Sequence, residues 1–265
     1  MRWFPRRDRI MDNEILISVI CPTYKRATLQ TRFADFVHKN CNRPETCEIV
    51  FGINDDDEIA LQTTQELIEK YGDQFIRYIL VDPEEALPNI ANICVDNCRG
   101  DLLCNVADDV VFRSKDWDLV ALSAFEEFDD KIMMLWSDDG LWGGRLASHY
   151  FIHKNWVKAV GYINVLHFYA DWGDVWNQEL VTRLGRNRVI LNREVLFLEH
   201  MHAEHGKMEK DETHFRTRER AKRNAVENIN YNSPQLVGSR DQDYMKLYKF
   251  IENYHQDEEE DSDNE

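Results

Sequence analysis

The chain has 265 residues, 43% of them hydrophobic and 11% aromatic, and a net charge of −17. That is enough for one large α/β domain or two small ones, and no apolar run approaches the length of a membrane span, so a helical membrane protein is not expected. So large a negative charge argues against broad nonspecific binding to nucleic acid through the whole surface.

Residues 1–13 are basic and carry no apolar core with a small-residue cleavage site, so they are taken as an N-terminal extension and the chain is expected to be cytoplasmic. The six cysteines (Cys21, Cys41, Cys47, Cys94, Cys98, Cys104) are then expected as free thiols in apolar surroundings, without the paired spacing of a structural zinc site. Residues 256–265 form an acidic tail that cannot bury anything and is expected to be disordered.

From Glu14 to Ile20 an apolar run predicts a first strand, ending at Cys21-Pro22-Thr23-Tyr24-Lys25-Arg26, where Pro22 halts the ladder. Thr28 is placed to cap a helix with Leu29, Phe33, Phe36 and Val37 on one face. Glu48–Ile53 is a second strand, ending in Asn54-Asp55-Asp56-Asp57-Glu58, and a helix through Leu61, Ile68 and Tyr71 follows. Ile76–Val81 is a third strand, and a helix turning Ile90, Ile93, Cys94 and Cys98 inward leads through Gly100 to a fourth, read over 101–112. Alternation of this kind predicts parallel βαβ units with right-handed crossovers.

The fourth strand carries two adjacent acids, Asp108 and Asp109, within its apolar pattern. Side by side they repel unless a cation neutralises them, which points to a divalent metal; a solvated turn is the other reading. Both acidic clusters and the Pro22–Arg26 loop fall at strand carboxyl ends, so all three are expected on one edge of the sheet, where open α/β sheets bind ligands. That convergence favours the metal.

Further along, a helix from Ser114, a strand over 131–136 and a glycine-rich loop over 137–145 with Trp142 follow, the loop suited to a flexible lid. A strand over 150–152, a helix over 155–160 stopped by Gly161, and a helix over 172–184 with Asp171 at its N-cap position and Gly185 closing it come next. A strand over 195–198 opens onto Glu199-His200-Met201-His202. The dinucleotide-binding, P-loop and nucleophile-elbow signatures do not occur.

Taken in order, Cys21-Pro22-Thr23-Tyr24-Lys25-Arg26, Asn54-Asp55-Asp56, Asn92, Ala107-Asp108-Asp109 in the DxD position, Asp171 and His200-Met201-His202 resemble the GT-A fold nucleotide-sugar glycosyltransferases, of the inverting family 2 type. The resemblance spans roughly 14–205, and the closing segment resembles small phage or viral members, which would place the chain in the host cytoplasm. It implies an α/β fold with a mostly parallel sheet flanked by helices, a C-terminal helical segment over 206–255, and transfer of a sugar from a nucleotide diphosphate to an acceptor hydroxyl. Mn²⁺ or Mg²⁺ would be held by Asp109 and His202, with His200 as runner-up. Pro22, Thr23 and Arg26 would cradle the nucleoside, Asp108 the ribose, and Asp55 or Asp56 the base, an arrangement favouring a UDP-sugar. The family's arginine beside Asn92 is missing here, and Lys207 or an arginine near 216–223 would substitute at the phosphates. Asp171, with Asp174 next, is the expected general base.

The polar helix over 210–228 carries five basic residues between 216 and 223 that could meet a phosphate-rich acceptor such as modified DNA, though the interleaved glutamates favour a solvated helix. The helix over 243–254 repeats Tyr244, Leu247, Tyr248, Ile251 and Tyr254 at helical spacing and should pack on the sheet or in a homodimer. The acceptor, whether glycan, lipid-linked sugar, protein or modified nucleobase, is not legible. A non-catalytic nucleotide-sugar or glycan-binding protein on a decayed glycosyltransferase fold is the alternative.

Overall fold

The computed structural model describes residues 14–262, with side chains to 256, so the extension over 1–13 and the last three residues lie outside it. Strands β1 (Ile17–Thr23), β2 (Cys47–Asn54), β3 (Ile76–Val81) and β4 (Leu102–Asn105) alternate with helices α1 (Ala27–Asn40), α2 (Glu58–Tyr71) and α3 (Leu87–Asp96), as expected. Then come β5 (Val110–Phe112), α4 (Trp117–Ala124), β6 (Met134–Ser137), β7 (Tyr150–His153), α5 (Lys154–Val160) and α6 (Gly173–Leu184). β8 (Asn187–Ile190), β9 (Leu198–His200), α7 (Glu212–Val226) and α8 (Pro234–Ser262) complete the chain.

Seven strands form one sheet in the order β3-β2-β1-β4-β7-β6-β8, and β5 pairs with β9 in a separate ribbon. β1, β2, β3 and β4 run parallel, as do β6 and β8; β7 is antiparallel to both its neighbours. Successive residues on the central strands serve two cores. Val19, Ile49, Leu102 and Cys104 meet Phe33 and Val37 of α1 on one face. Ile20, Val50 and Leu103 meet Ala91 and Cys94 of α3, Trp156 of α5 and Trp176 of α6 on the other. Gly100 lets the chain cross β1 closely, since a Cβ there would lie 2.6 Å from the Ile17 carbonyl carbon.

Pro22 does not halt β1, which pairs with β2 through Thr23. Pairing with β4 ends at Asn105, opposite Ile20, so the ring nitrogen of Pro22 faces a side with no strand to donate to. The strand expected over 101–112 is two strands, because a turn at Ala107–Val110 (Val110 N–H to Ala107 O, 3.2 Å) swings β5 out of the sheet to β9. α1 starts on Arg26 with no side-chain cap, so Thr28 does not cap it. α4 starts at Trp117, and Ser114 instead donates to Arg193 O at 2.9 Å. β8, with half its residues exposed, was not expected, and the strand expected over 195–198 begins only at Leu198.

At the end of the sheet away from the acids, Glu48 is fully buried. It accepts from Ser18 Oγ (2.6 Å) and from Arg99 N–H and Nε (2.6 and 2.8 Å), tying β1, β2 and the approach to β4 together. α8 packs on α5 and α6 of its own chain, with Leu236 and Leu247 buried, and continues to Ser262 through residues expected to be a disordered tail. No described helix is long and apolar enough to cross a membrane.

Candidate active site

The carboxyl ends of β1 and β4 bring the Pro22–Arg26 loop and the two acids to one cleft, as the chain order required. Ile90 of α3, Asp171, His200 and His202 also line it. α7 forms the facing wall with Arg216, Arg218 and Arg220, so the helix expected to be solvated covers the cleft. Its clamps are specific. Asp211 caps α7 through the His214 N–H (2.8 Å) and takes Arg26 Nε and Nη2 at 2.7 and 2.9 Å. Thr213 donates to Tyr24 O, the Arg216 guanidinium lies 4.1 Å from the Tyr24 ring centre, and Arg220 donates to Pro83 O at 2.9 Å.

Asp108 and Asp109 are both buried but differently partnered. Asp108 accepts from Thr23 Oγ1 at 2.7 Å and from Arg26 Nη1 at 2.8 Å. Burial pushes its carboxyl up to about 6, Arg26 opposing the rise and Asp109 adding to it. Burial would raise Asp109 too, but His200, then His149 and Arg26, hold it well below the usual carboxylate range. Its Oδ1 lies 3.4 Å from His200 Nε2 and makes no hydrogen bond.

His200 is set between carboxylates, with Nδ1 unbonded and 4.0 Å from Asp139 Oδ2. The backbone fixes it there: His200 N–H donates to Asp139 O and Met201 N–H to Asp109 O, each at 3.0 Å. Neighbouring rings lie 4.5 Å (His149) and 4.8 Å (His202) away. Burial, then His200, pushes His149 well below the ordinary histidine range. The same two causes bring His202 to about 4.

A buried carboxylate oxygen without a partner beside an imidazole nitrogen is a donor pair that suits a hard divalent cation such as Mn²⁺ or Mg²⁺. His200 fits this better than His202. Its Nε2 is 3.4 Å from Asp109 Oδ1 and accepts no hydrogen bond from a described neighbour, so it is open as a ligand atom. His202 Nδ1 already accepts from Glu204 N–H at 3.2 Å, which puts the proton of the neutral ring on Nε2. Among the described residues, three such donor atoms come within 4.8 Å of one another only at Cys41, Cys47 and Asp118, away from this cleft.

Asp171 is not an N-cap. Both Asp171 (φ 61°) and Trp172 (φ 65°) are left-handed, and α6 begins at Gly173. Non-glycine residues in that region cost of order 1–3 kcal/mol each and cluster at functional sites. Asn224, buried on α7, holds the approach by accepting from Tyr169 N–H (3.0 Å) and donating to Ala170 O (2.8 Å). The Asp171 carboxylate is 3.7 Å from Arg218 Nη1. Asp174 lies one turn on, its carboxyl pushed up to about 6 by burial.

The other expected residues stand apart. Asp55 and Asp56 are exposed and outside the cleft lining, which takes Asn54 instead, while Asp57 caps α2 through Ala60 N–H. Asn92 spends its amide on the backbone, accepting from Ile163 and Asn164 N–H and donating to Asn164 O, so it braces that loop. Lys207 Nζ lies 3.4 Å from Gly140 O and does not line the cleft. Within the 137–145 loop, Asp139 accepts from Leu141 and Trp142 N–H and from Ser148 Oγ, which gives its turn an internal brace. Sequence reasoning missed Asp139, His149, Asp211 and Asn224. Asp139 alone carried a signal, as a third acid pair with Asp138 after a strand.

A second cleft adjoins the first and shares Asp171, His200, His202 and Arg218 with it. Its own lining includes Trp142, Trp172, Asp174 and Glu204.

Comparison with known proteins places the fold. No family model matches the chain, and no curated protein matches it in sequence. Among solved structures it is similar to the mannosyltransferase PcManGT from Pyrobaculum calidifontis in complex with GDP-Man and Mn²⁺ (TM-score 0.58, 11% identity, 89% of this chain and 74% of that one). It is also similar to S. aureus TarS 1–349 in complex with UDP-GlcNAc (TM-score 0.54, 15% identity, 89% and 72%). Of a longer S. aureus TarS chain it spans 37%, with 70% of its own length aligned, at TM-score 0.55 and 14% identity. The fold is therefore GT-A, a mixed α/β fold with a mostly parallel sheet.

Proposed function

We propose that the chain is a metal-dependent, inverting glycosyltransferase that moves a sugar from a nucleotide diphosphate to an acceptor hydroxyl. One observation carries the reading: two clefts meet at a seam where Asp109 lies on the donor side and Asp171 and His200 face both. The mannosyltransferase neighbour's GDP-Man and Mn²⁺ are in keeping with it.

In this reading the nucleoside lies against Pro22 and Thr23, with Asp108 toward the ribose and Arg216, Arg218 and Arg220 meeting the diphosphate. These three take the place of the arginine missing beside Asn92. Asp109 and His200 would hold Mn²⁺ or Mg²⁺, with the His200 backbone fixed by its N–H to Asp139 O; the ion supplies charge neutralisation at the diphosphate leaving group. Asp171, or Asp174 behind it, accepts the acceptor hydroxyl's proton as that oxygen bonds to the anomeric carbon from the face opposite the departing phosphate. The C–O bond to phosphate breaks, the nucleoside diphosphate leaves with the bonding pair, and the configuration inverts. UDP-sugars are the first donors to test, with Asp55 one residue beyond the lining Asn54.

The commitment of Asn92 to the 163–164 backbone is the observation that favours a non-catalytic binding protein. A thermal-shift screen of nucleoside diphosphates with and without Mn²⁺, followed by transfer of a radiolabelled sugar, separates the two. Mn²⁺-dependent stabilisation by UDP or GDP with label transfer supports the enzyme; stabilisation without transfer to any acceptor supports the binder.

A further inference from the structure

We infer that the second cleft is an acceptor site for a neutral sugar ring, seated on Trp172 and Trp142, and that it rejects polyanions. The inference rests on the glycosyltransferase reading for the word acceptor, but not for the binding itself. Among the described tryptophans, Trp117, Trp136, Trp156 and Trp176 are buried, whereas Trp142 and Trp172 are 36% and 45% exposed. Both of the exposed ones line this cleft.

Neither indole is loose. Trp142 has its backbone N–H donated to Asp139 Oδ1 at 2.8 Å, and its ring packs edge-on against His205, ring centres 5.5 Å apart. Trp172, presented by the left-handed backbone, lies 5.1 Å from the Tyr231 ring at 31°. Tyr231 is in turn held by Glu179 at 2.8 Å and covered by Arg240, 4.1 Å from its ring centre. Braced, half-exposed indoles beside carboxylates match a sugar, whose C–H face packs on the ring while its hydroxyls donate to the acids.

Charge selects against the other ligands that stack on tryptophan. The cleft has three carboxylates, Asp171, Asp174 and Glu204, against one arginine. That arginine, Arg218, already lies 3.7 Å from Asp171 and 3.9 Å from Glu204. A nucleic acid strand or phosphate-bearing polymer would bring its own negative charge into a surplus of the same sign, a repulsion that excludes wrong partners.

The test is titration of the full chain, followed by intrinsic tryptophan fluorescence, with maltotriose, cellotriose and chitotriose as neutral probes and an oligo-dT strand as the polyanion. At least one neutral trisaccharide should bind, oligo-dT should bind at least about tenfold more weakly, and Trp172→Ala should weaken the trisaccharide about tenfold while Trp172→Tyr retains it. The UDP–Mn²⁺ thermal shift of Trp172→Ala should match that of the parent, showing that the variant is folded and its donor side intact. Binding of oligo-dT as tight as that of the best sugar, no binding of any neutral probe, or sugar binding indifferent to both Trp172→Ala and Trp142→Ala would overturn the inference. Loss of the nucleotide shift from the parent protein, with Trp172-dependent sugar binding intact, would sink the donor reading and leave this one standing.

Discussion

Asp108 and Asp109 are adjacent in the chain, yet burial drives the first carboxyl up to about 6 while His200 and its neighbours hold the second below the usual range. The two are therefore unequally placed, and the proposed function gives them different tasks. Asp109→Asn neutralises the carboxylate whose buried Oδ1 has no hydrogen-bond partner and should abolish the Mn²⁺-dependent part of the nucleotide thermal shift. Metal ions supply several kcal/mol at a leaving group, so transfer should fall at least about a hundredfold. Asp108→Asn keeps the metal effect and weakens nucleotide binding about tenfold, the scale of one charge-assisted hydrogen bond. Equal loss of the metal response in both variants would contradict the division.

His200, rather than His202, is the better ligand in this geometry. His200→Ala should remove the Mn²⁺ response, and His202→Ala should leave it in place. Asp139→Asn, which removes a carboxylate charge 4.0 Å from His200 Nδ1, should lower metal affinity by about tenfold or less. Calorimetric titration of Mn²⁺ reads all three. A response lost in His202→Ala and kept in His200→Ala would reverse the assignment.

The general base is tested by rate and stability together. Asp171→Asn should cost about 10²–10⁴ in turnover with nucleotide binding unchanged. Asp174 has a folded value raised to about 6 by burial, above that of an unfolded aspartate. Its contribution is favourable at low pH and is lost as pH rises through about 6, so at pH 7 the charged form is a cost of order 2–3 kcal/mol. Asp174→Asn should accordingly raise the melting temperature at pH 7 and flatten the stability profile between roughly pH 4 and 6. If Asp174→Asn loses turnover and Asp171→Asn does not, the base is Asp174.

The first half of this site was legible because its signals are periodic and local. Apolar runs ending in acids mark strand ends, and strand ends in a parallel sheet share an edge, so Thr23, Asp108 and Asp109 could be brought together on paper. The other wall could not. α7 reads as a solvated helix because its clamps to the cleft are polar, and charge on a surface helix looks the same whether it faces water or a neighbour. Asp171 reads as a helix cap because a left-handed pair leaves no composition mark when neither residue is glycine. The ribbon of β5 and β9 was hidden for a related reason: an apolar pattern continuing through Asp108-Asp109 does not record that the chain changes sheets there.

Glu48 gives the fold its own pH signature, at the opposite end of the sheet from the chemistry. Burial would raise its carboxyl, but the hydrogen bonds from Ser18 and Arg99 hold it below the usual value. Stability from this group is therefore fully present above about pH 4.3, the unfolded value, and is lost as pH falls through the lower folded one. Glu48→Ala leaves Ser18 Oγ and Arg99 Nε without their shared acceptor; Arg99 is partly exposed and keeps its bonds to Gln74, so the cost should be about 1–3 kcal/mol, that of a lost buried hydrogen-bond partner. Because β1, β2 and the approach to β4 all meet there, the loss should appear as one cooperative drop in denaturant midpoint rather than as local fraying. Glu48→Gln keeps the shape and one acceptor oxygen, so it should recover part of the stability while removing the acid-induced loss. A variant whose acid unfolding curve coincides with the parent's would show that the buried carboxylate does not set it.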